Sequence, residues 1–370
     1  MADYVVIGGG VYGVATARRL AESGADIVVL ERKAIASGAS GGPGRRGVRA
    51  NGRDLRELPL MQAAYPLWEA IEDDLGESGL YERTGHLQLV GRDQDLPKAA
   101  AQAMAQNRFG VETHLLDAAA VRELEPHVEA GVLGAVYCPE DGHADHTRTT
   151  RAYAAAARRL GVDIREGAEA VEIAYAGDRA TGVRTADGAL VAAKAGVLAL
   201  SNWSVPDLLG DSAPMPVWSE ALQVLLSRPL AEVPVRHVVG HFSRTLSIKP
   251  EAGDRVMISG GYRGAYDRTT HRGVALQPAI DANVAEAVAT YPMLAGMAVE
   301  DADADHLESL TIDQVPVIDR RPGCPNLWFA TGWCGHGWAI APIVSDLLAD
   351  FVLNDACPPL LRPFALSRFG

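Results

Sequence analysis

Residues 4–20 read YVVIGGGVYGVATARRL, a short apolar run that stops at three glycines and resumes at once with helical periodicity. Gly8, Gly10 and Gly13 have the G-x-G-x-x-G spacing. In such a corner the first glycine turns the chain tightly, the second admits a pyrophosphate against the backbone, and the third lets helix and strand pack closely. A helix starting near Val11 directs unpaired N–H groups and a partial positive charge at that phosphate. The context fits. DYVVIGGG is strand-like, VYGVATARRLAESG predicts a helix ending at Gly24, and DIVVLE predicts a strand ending at Glu31, 18 residues past Gly13. An acid at that point accepts from ribose hydroxyls and disfavours a 2′-phosphate. The plain alternative is a β-α-β unit without a ligand. With a ligand, this stretch alone does not separate NAD from FAD.

Length bounds the rest. A chain of 370 residues accommodates two domains, or one large domain with an insertion. No segment approaches the ~18 uninterrupted apolar residues of a membrane span, and a strand beginning at Asp3 leaves no room for a leader peptide. A net charge of −13 argues against nonspecific nucleic-acid binding, which needs Lys and Arg to neutralise phosphates. Cys138, Cys324, Cys334 and Cys357 form no C-x-x-C pair and no metal-ligand spacing, so the expectation is a reducing cytoplasm and no metal.

Along the chain, RKAIASGASGGPGRRGVR after Glu31 is too long and glycine-rich for a routine connection. Residues 54–75 look helical but interrupted by Pro59 and Pro66; GHLQLVG alternates as a strand; KAAAQAMAQNRFG predicts a helix; Asp117 is a helix cap. A second α/β passage runs from Thr147 through GVLALSNW, and residues 214–262 are strand-rich. The predicted fold class is α/β: a Rossmann-like nucleotide-binding domain from residues 1–80, 140–205 and 305–370. An α+β substrate domain with a mostly antiparallel sheet is inserted from residues 81–139 and 206–304.

TGWCGHGWAIAP near the C-terminus repeats the first device, with a strand, glycines at 332, 335 and 337, then a helix. Two such corners suit a ligand too long for one of them. FAD has an adenine half for the first and an isoalloxazine, negatively charged when reduced, for a second helix N-terminus. The chain resembles the D-amino-acid oxidase-like family of FAD oxidoreductases, the group of glycine oxidase and monomeric sarcosine oxidase. The likeness rests on VVIGGGVYGVATARRLAESGADIVVLER, ASGASGG followed by GVR, DGHADHTRTTRAYAAAARRLG, VLALSNWS and the TIDQVPVID…ATGWCGHGWAIAP ending. It implies FAD held by Gly8, Gly10, Val11, Tyr12 and Gly13, by Glu31 and Arg32, and by Ala39, Ser40, Gly41, Gly42 and Arg46. Val171 would meet the adenine through its backbone, and Gly332, Gly335, His336, Gly337 and Trp338 would face the flavin.

The resemblance also implies oxidation of a C–N bond in an amine or amino acid by hydride transfer to flavin, giving an imine that hydrolyses. Oxygen is the expected acceptor. The alternatives are a dehydrogenase subunit that passes electrons to a partner protein, or an oxidase of a hydroxy compound. Oligomeric state stays open. His336 holds flavin or substrate or tunes protonation near neutral pH, or only satisfies its turn. Arg49 binds a substrate carboxylate, or belongs with Arg45 and Arg46 to a solvated basic patch. Lys249 assists reaction with oxygen, or is a surface lysine; Tyr262 is a pocket residue. Trp333 and Trp338 wall a pocket or fill a core, and Cys334 is a small core filler rather than a reactive thiol.

Three positions depart from the family. Ala339 stands where monomeric sarcosine oxidase has a lysine after its G-H-G-aromatic segment. Glu308 stands where glycine oxidase has an arginine five residues before the acid matching Asp313. Ala199–Ser201 reads A-L-S where A-A-G is usual. The first two remove positive charge from the expected carboxylate anchor. Either Arg49 or another arginine takes that role, or the substrate lacks an α-carboxylate, and Glu308 meets a second cationic group. ADADHLESL has no cysteine where monomeric sarcosine oxidase attaches its flavin, so noncovalent FAD is expected.

Overall fold

The computed structural model describes residues 1–210 and 215–370. The start of the strand-rich stretch and part of the predicted second insert, residues 211–214, lie outside the described residues. Strand Ala2–Ile7 is central to the first sheet, and its apolar run suits a strand covered on both faces. Ile27–Glu31 pairs in parallel on one side and Leu190–Ala199 on the other. Asp163–Glu166 extends the sheet beyond Ile27–Glu31. Leu327–Thr331 extends it in parallel beyond Leu190–Ala199, and Val317–Arg320 closes that edge antiparallel. The first residues of Leu190–Ala199 leave the parallel layer to pair with a meander, Ala170–Ala176 and Arg179–Thr185.

Helices Val11–Glu22, His146–Arg159 and Gly337–Asn354 bury Val14, Ala15, Leu20, Ala154, Ala157, Val344 and Leu348 in one core. Small side chains let these helices approach closely. Gly13 makes the point sharply: a Cβ there would lie 1.8 Å from the Gly8 carbonyl oxygen. The last helix is long and apolar enough to cross a membrane by length and composition alone, but Ser345, Asp346 and Asp350 interrupt its apolar run and most of it is buried inside the protein. Leu58–Leu75 is likewise one continuous helix rather than an interrupted one. Pro59 falls in the first turn, where its missing N–H costs nothing, and Pro66 is tolerated because Met61, Tyr65, Trp68 and Ile71 anchor the helix in the core.

The second sheet has eight strands in the order Val299–Asp303, Val224–Ser227, Arg255–Ser259, Ser247–Glu251, Val238–His241, His86–Val90, Gly134–Cys138, His114–Asp117. All neighbours are antiparallel except Val238–His241 beside His86–Val90. Alternation divides its residues between two faces. Val239, Ile248 and Ile258 pack with Ala287 of helix Gln277–Thr290, so Val238, Ser247, Lys249 and Ser259 point the other way, into a cavity shared with the first sheet. A ribbon of Arg45–Val48, Gly142–Asp145 and Tyr81–Glu82 carries the chain from the glycine-rich loop toward that face.

Candidate active site

The two glycine corners meet. The Tyr12 hydroxyl, in the first turn of helix Val11–Glu22, donates to the Gly337 carbonyl, and its ring stacks on Trp333 with centroids 3.7 Å apart. Neither helix Val11–Glu22 nor helix Gly337–Asn354 has a side-chain cap or an acidic residue in its first turn. Both therefore offer unpaired N–H groups and positive potential. Both corners open on one cavity of about 730 Å³. Gly10 has nothing within 4 Å of a built Cβ, so the backbone is open to close approach there, while Gly8 adopts φ +109° with Leu200 at its back.

Along the cavity wall the structure brings together Gly8, Gly10, Val11, Tyr12, Glu31, Arg32, Ala39, Ser40, Arg46, Arg49, Val171, Lys249, Tyr262, Gly335, His336, Gly337 and Trp338. Gly13, Gly41, Gly42 and Gly332 are not among the residues that line it. Gly13 seats helix on strand, Gly41 and Gly42 give their carbonyls to Arg46, and the Gly332 N–H donates to Ser309 Oγ. At one end Glu31 accepts from the backbone N–H groups of Gly9 and Lys33, both at 2.8 Å, and so holds its carboxylate beside the first corner. Val171 lies where the register shifts between Ala170 and Glu172, and Arg32 sits 4.6 Å over the Trp203 ring.

The other end is cationic. Arg46 and Arg49 belong to no solvated patch: burial pushes both guanidinium groups down to about 10. Arg46 donates to the carbonyls of Gly41, Gly42 and Arg45 and so clasps the glycine loop. Arg49 donates to Asn51 O at 2.6 Å and presents its remaining edge to the cavity. Lys249 is only 4% exposed, which overturns the surface reading. Burial, then Arg46, push its ammonium down to about 7, with Glu251 opposing and Arg49 adding to the effect. Burial together with Arg49 and Arg53 holds His336 well below its ordinary range. That shift favours the neutral imidazole. Burial pushes the Cys334 thiol up, which fits a filler.

Arg53, Glu57 and Asp141 were not singled out in the sequence. Arg53 lies behind the site and donates through Nε to the Arg49 carbonyl, through Nη2 to the His336 carbonyl at 2.6 Å, and through Nη1 to Glu57 at 3.0 Å. The Arg53–Glu57 pair is 1% exposed on each side. Asp141 accepts from the N–H groups of Ala50 and Asn51 and from the Tyr65 hydroxyl, and so fixes the chain just after Arg49. Only the R-x-x-x-E spacing hinted at any of this, and ion pairs of that spacing are usually solvated helix decoration. Among the described residues no cluster fit for a metal ion is found, and all four cysteines are free.

Comparison with known proteins agrees with this geometry. The family model described as FAD dependent oxidoreductase matches residues 3–351. The sarcosine oxidase subunit beta of an Arthrobacter species is 28% identical over 383 residues, covering 99% of this chain and 91% of that protein. The glycine oxidase of Geobacillus kaustophilus is 27% identical over 387 residues, covering 99% and 97%. Among solved structures, L-proline dehydrogenase from P. horikoshii superposes with a TM-score of 0.89 at 24% identity, covering 100% and 97%. Glycine oxidase from Geobacillus kaustophilus superposes with 0.86 at 21%, covering 99% and 98%. Two uncapped helix ends on one long cavity, joined by a match over nearly the whole length, place this chain in the FAD dependent oxidoreductase family.

Proposed function

We propose that the enzyme oxidises the C–N bond of an amine or amino acid, with the substrate held at the cationic end of the cavity. One observation carries this reading: Arg49, half-buried, and Lys249, buried, share the cavity with the second glycine corner. The residues present fit FAD. Gly8, Gly10, Val11 and Tyr12 would hold the pyrophosphate, Glu31 the ribose, Val171 the adenine, and Gly335, His336 and Gly337 the ring system. When bound, FAD supplies the hydride acceptor, and the protein supplies orientation and electrostatics. Arg49 receives a substrate carboxylate with paired N–H donors, which fixes the adjacent C–H in one direction. A neutral His336 and the packed rings of Trp333 and Trp338 exclude water without adding charge. Anaerobic bleaching of the bound flavin by a panel of amines, N-methyl amino acids and D-amino acids tests the reading; no bleaching by any of them overturns it.

Oxygen is the proposed acceptor, with Lys249 as the group that favours it. A buried cation stabilises the negative charge that develops as dioxygen takes up an electron. Lys249→Met is expected to slow peroxide formation by roughly 100-fold or more while changing anaerobic flavin reduction far less. In the wild type the ammonium persists below about pH 7 and is lost as pH rises through it, so the oxygen reaction slows in that direction. Stopped-flow reoxidation measures both effects. Reoxidation that is slow in the wild type and untouched by Lys249→Met points instead to an electron-accepting partner. The cofactor is proposed to be noncovalent, in a reducing cytoplasm; acid precipitation is expected to leave a colourless pellet and a yellow supernatant.

A further inference from the structure

Glu308 is a buried carboxylate in the wall of this cavity, 4% exposed, on the two-residue-spaced face of strand Glu308–Thr311. Its Oε2 accepts from the Ser40 hydroxyl, the backbone N–H groups of Gly335 and Ser309 favour its charged form, and its Oε1 has no partner at hydrogen-bond geometry. Burying a carboxylate is costly unless it is paired. On the paired strand Glu220 stands directly across from Glu308 in register. The cation facing both is Arg263, and its guanidinium is committed to Glu220 and to the Gly261 carbonyl. Two carboxylates thus share one arginine. Arg46 and Arg49 bear on Lys249, whereas the cation that bears most on Glu308 is Arg263. The cavity wall thus carries the Glu308 carboxylate as well as the cations of Arg49 and Lys249.

We infer that Glu308 forms a subsite for a second cationic group on the substrate, an ammonium or guanidinium distinct from the amine that is oxidised. The inference rests on the amine-oxidising reading above and narrows it to diamino compounds and basic amino acids. A cation at this place completes the pairing that Oε1 lacks. The pocket then discriminates by leaving Glu308 unpaired whenever a neutral side chain enters, a larger penalty than loss of apolar contact imposes.

The acidity of Glu308 gives a second handle. Burial raises its carboxyl to about 7, with Ser40, the Gly335 N–H and Arg263 drawing it back; Tyr12 and Cys334 also face it, and it raises both. A cation binds the ionised form, so affinity for a monovalent cation rises as pH climbs from 6 to 8.

Two measurements on the FAD-loaded enzyme decide the matter. In the first, kcat/KM is compared for 2,6-diaminohexanoate and 2-aminohexanoate, as each enantiomer and as N-methyl derivatives. The charged member is expected to win by at least about tenfold, and Glu308→Gln brings the pair within about threefold. In the second, methylguanidine, which is not a substrate, is titrated calorimetrically. Its Kd is expected to fall with rising pH in the wild type, and in Glu308→Gln to be about tenfold weaker at pH 8 with a shallower pH dependence. Equal treatment of the matched pair by the wild type, or a preference and methylguanidine affinity that survive Glu308→Gln, overturns the subsite. Failure of the amine-oxidising reading looks different: no amine bleaches the flavin, yet the calorimetric result still stands or falls by itself. Unchanged flavin content in Glu308→Gln verifies that the variant folds.

Discussion

Gly13→Ala is expected to lose the fold and the flavin together, whereas Gly10→Ala keeps the folded apoprotein and loses only the flavin. A methyl at residue 13 would lie 1.8 Å from the Gly8 carbonyl oxygen, a backbone atom that cannot step aside without moving strand Ala2–Ile7 out of the sheet centre. The cost exceeds about 3 kcal/mol, beyond ordinary overpacking. At residue 10 the backbone has φ −74° and ψ 176°, which alanine adopts freely, and a Cβ meets nothing within 4 Å. What the methyl occupies is the place where a pyrophosphate approaches the chain. FAD affinity should drop on the order of 100-fold with the apoprotein melting temperature unchanged. Thermal unfolding of the apoproteins and FAD titration separate the two. Equal loss of melting temperature in both variants would mean that the first corner is merely a structural turn.

The second large effect is expected at Arg53. Arg53→Met leaves the buried Glu57 without its hydrogen-bonded counter-charge, Arg49 being the cation that still bears on it, and should destabilise the protein by about 3 kcal/mol. Arg53→Met combined with Glu57→Leu removes both charges, and most of that stability should return. Turnover should not return with it. Arg53 also ties the Arg49 carbonyl to the His336 carbonyl, and so sets the spacing between the proposed carboxylate anchor and the second glycine corner. Arg53 is a positioning residue, and the double variant is expected to show a raised KM with flavin still bound. Chemical denaturation and steady-state kinetics read the two effects independently. Full recovery of kcat/KM in the double variant would reduce Arg53 to a structural ion pair.

The parts of the site that the sequence exposed share one property: they are local. Gly8, Gly10 and Gly13 dictate a strand, a turn and a helix through spacing alone, and Glu31 follows because one β-α-β unit has a nearly fixed length. The 332–337 corner repeats that grammar, so a ligand spanning both ends of the chain was legible before any coordinates. Asp117 as a cap was legible for the same reason, since a cap acts within three residues. Lys249, by contrast, looked like a surface residue in SIKPEAGDR. Its burial follows from which face of the strand meets helix Gln277–Thr290, and a pairing between distant segments settles that. Pro66 looked like a helix breaker because local cost was visible and the compensating burial of Trp68 and Ile71 was not.

The sequence by itself therefore determined the two dinucleotide corners, the order of the elements around them and the kind of cofactor they serve, because each is encoded over a few neighbouring residues. Only the tertiary structure decided that the corners touch through Tyr12, Trp333 and Gly337, and that Arg53 locks Arg49 to His336. It also decided that Glu308 stands opposite Glu220 and is buried in the wall of the cavity that Arg49 and Lys249 share. Those facts depend on desolvation and on contacts between residues hundreds of positions apart, which no local spacing records.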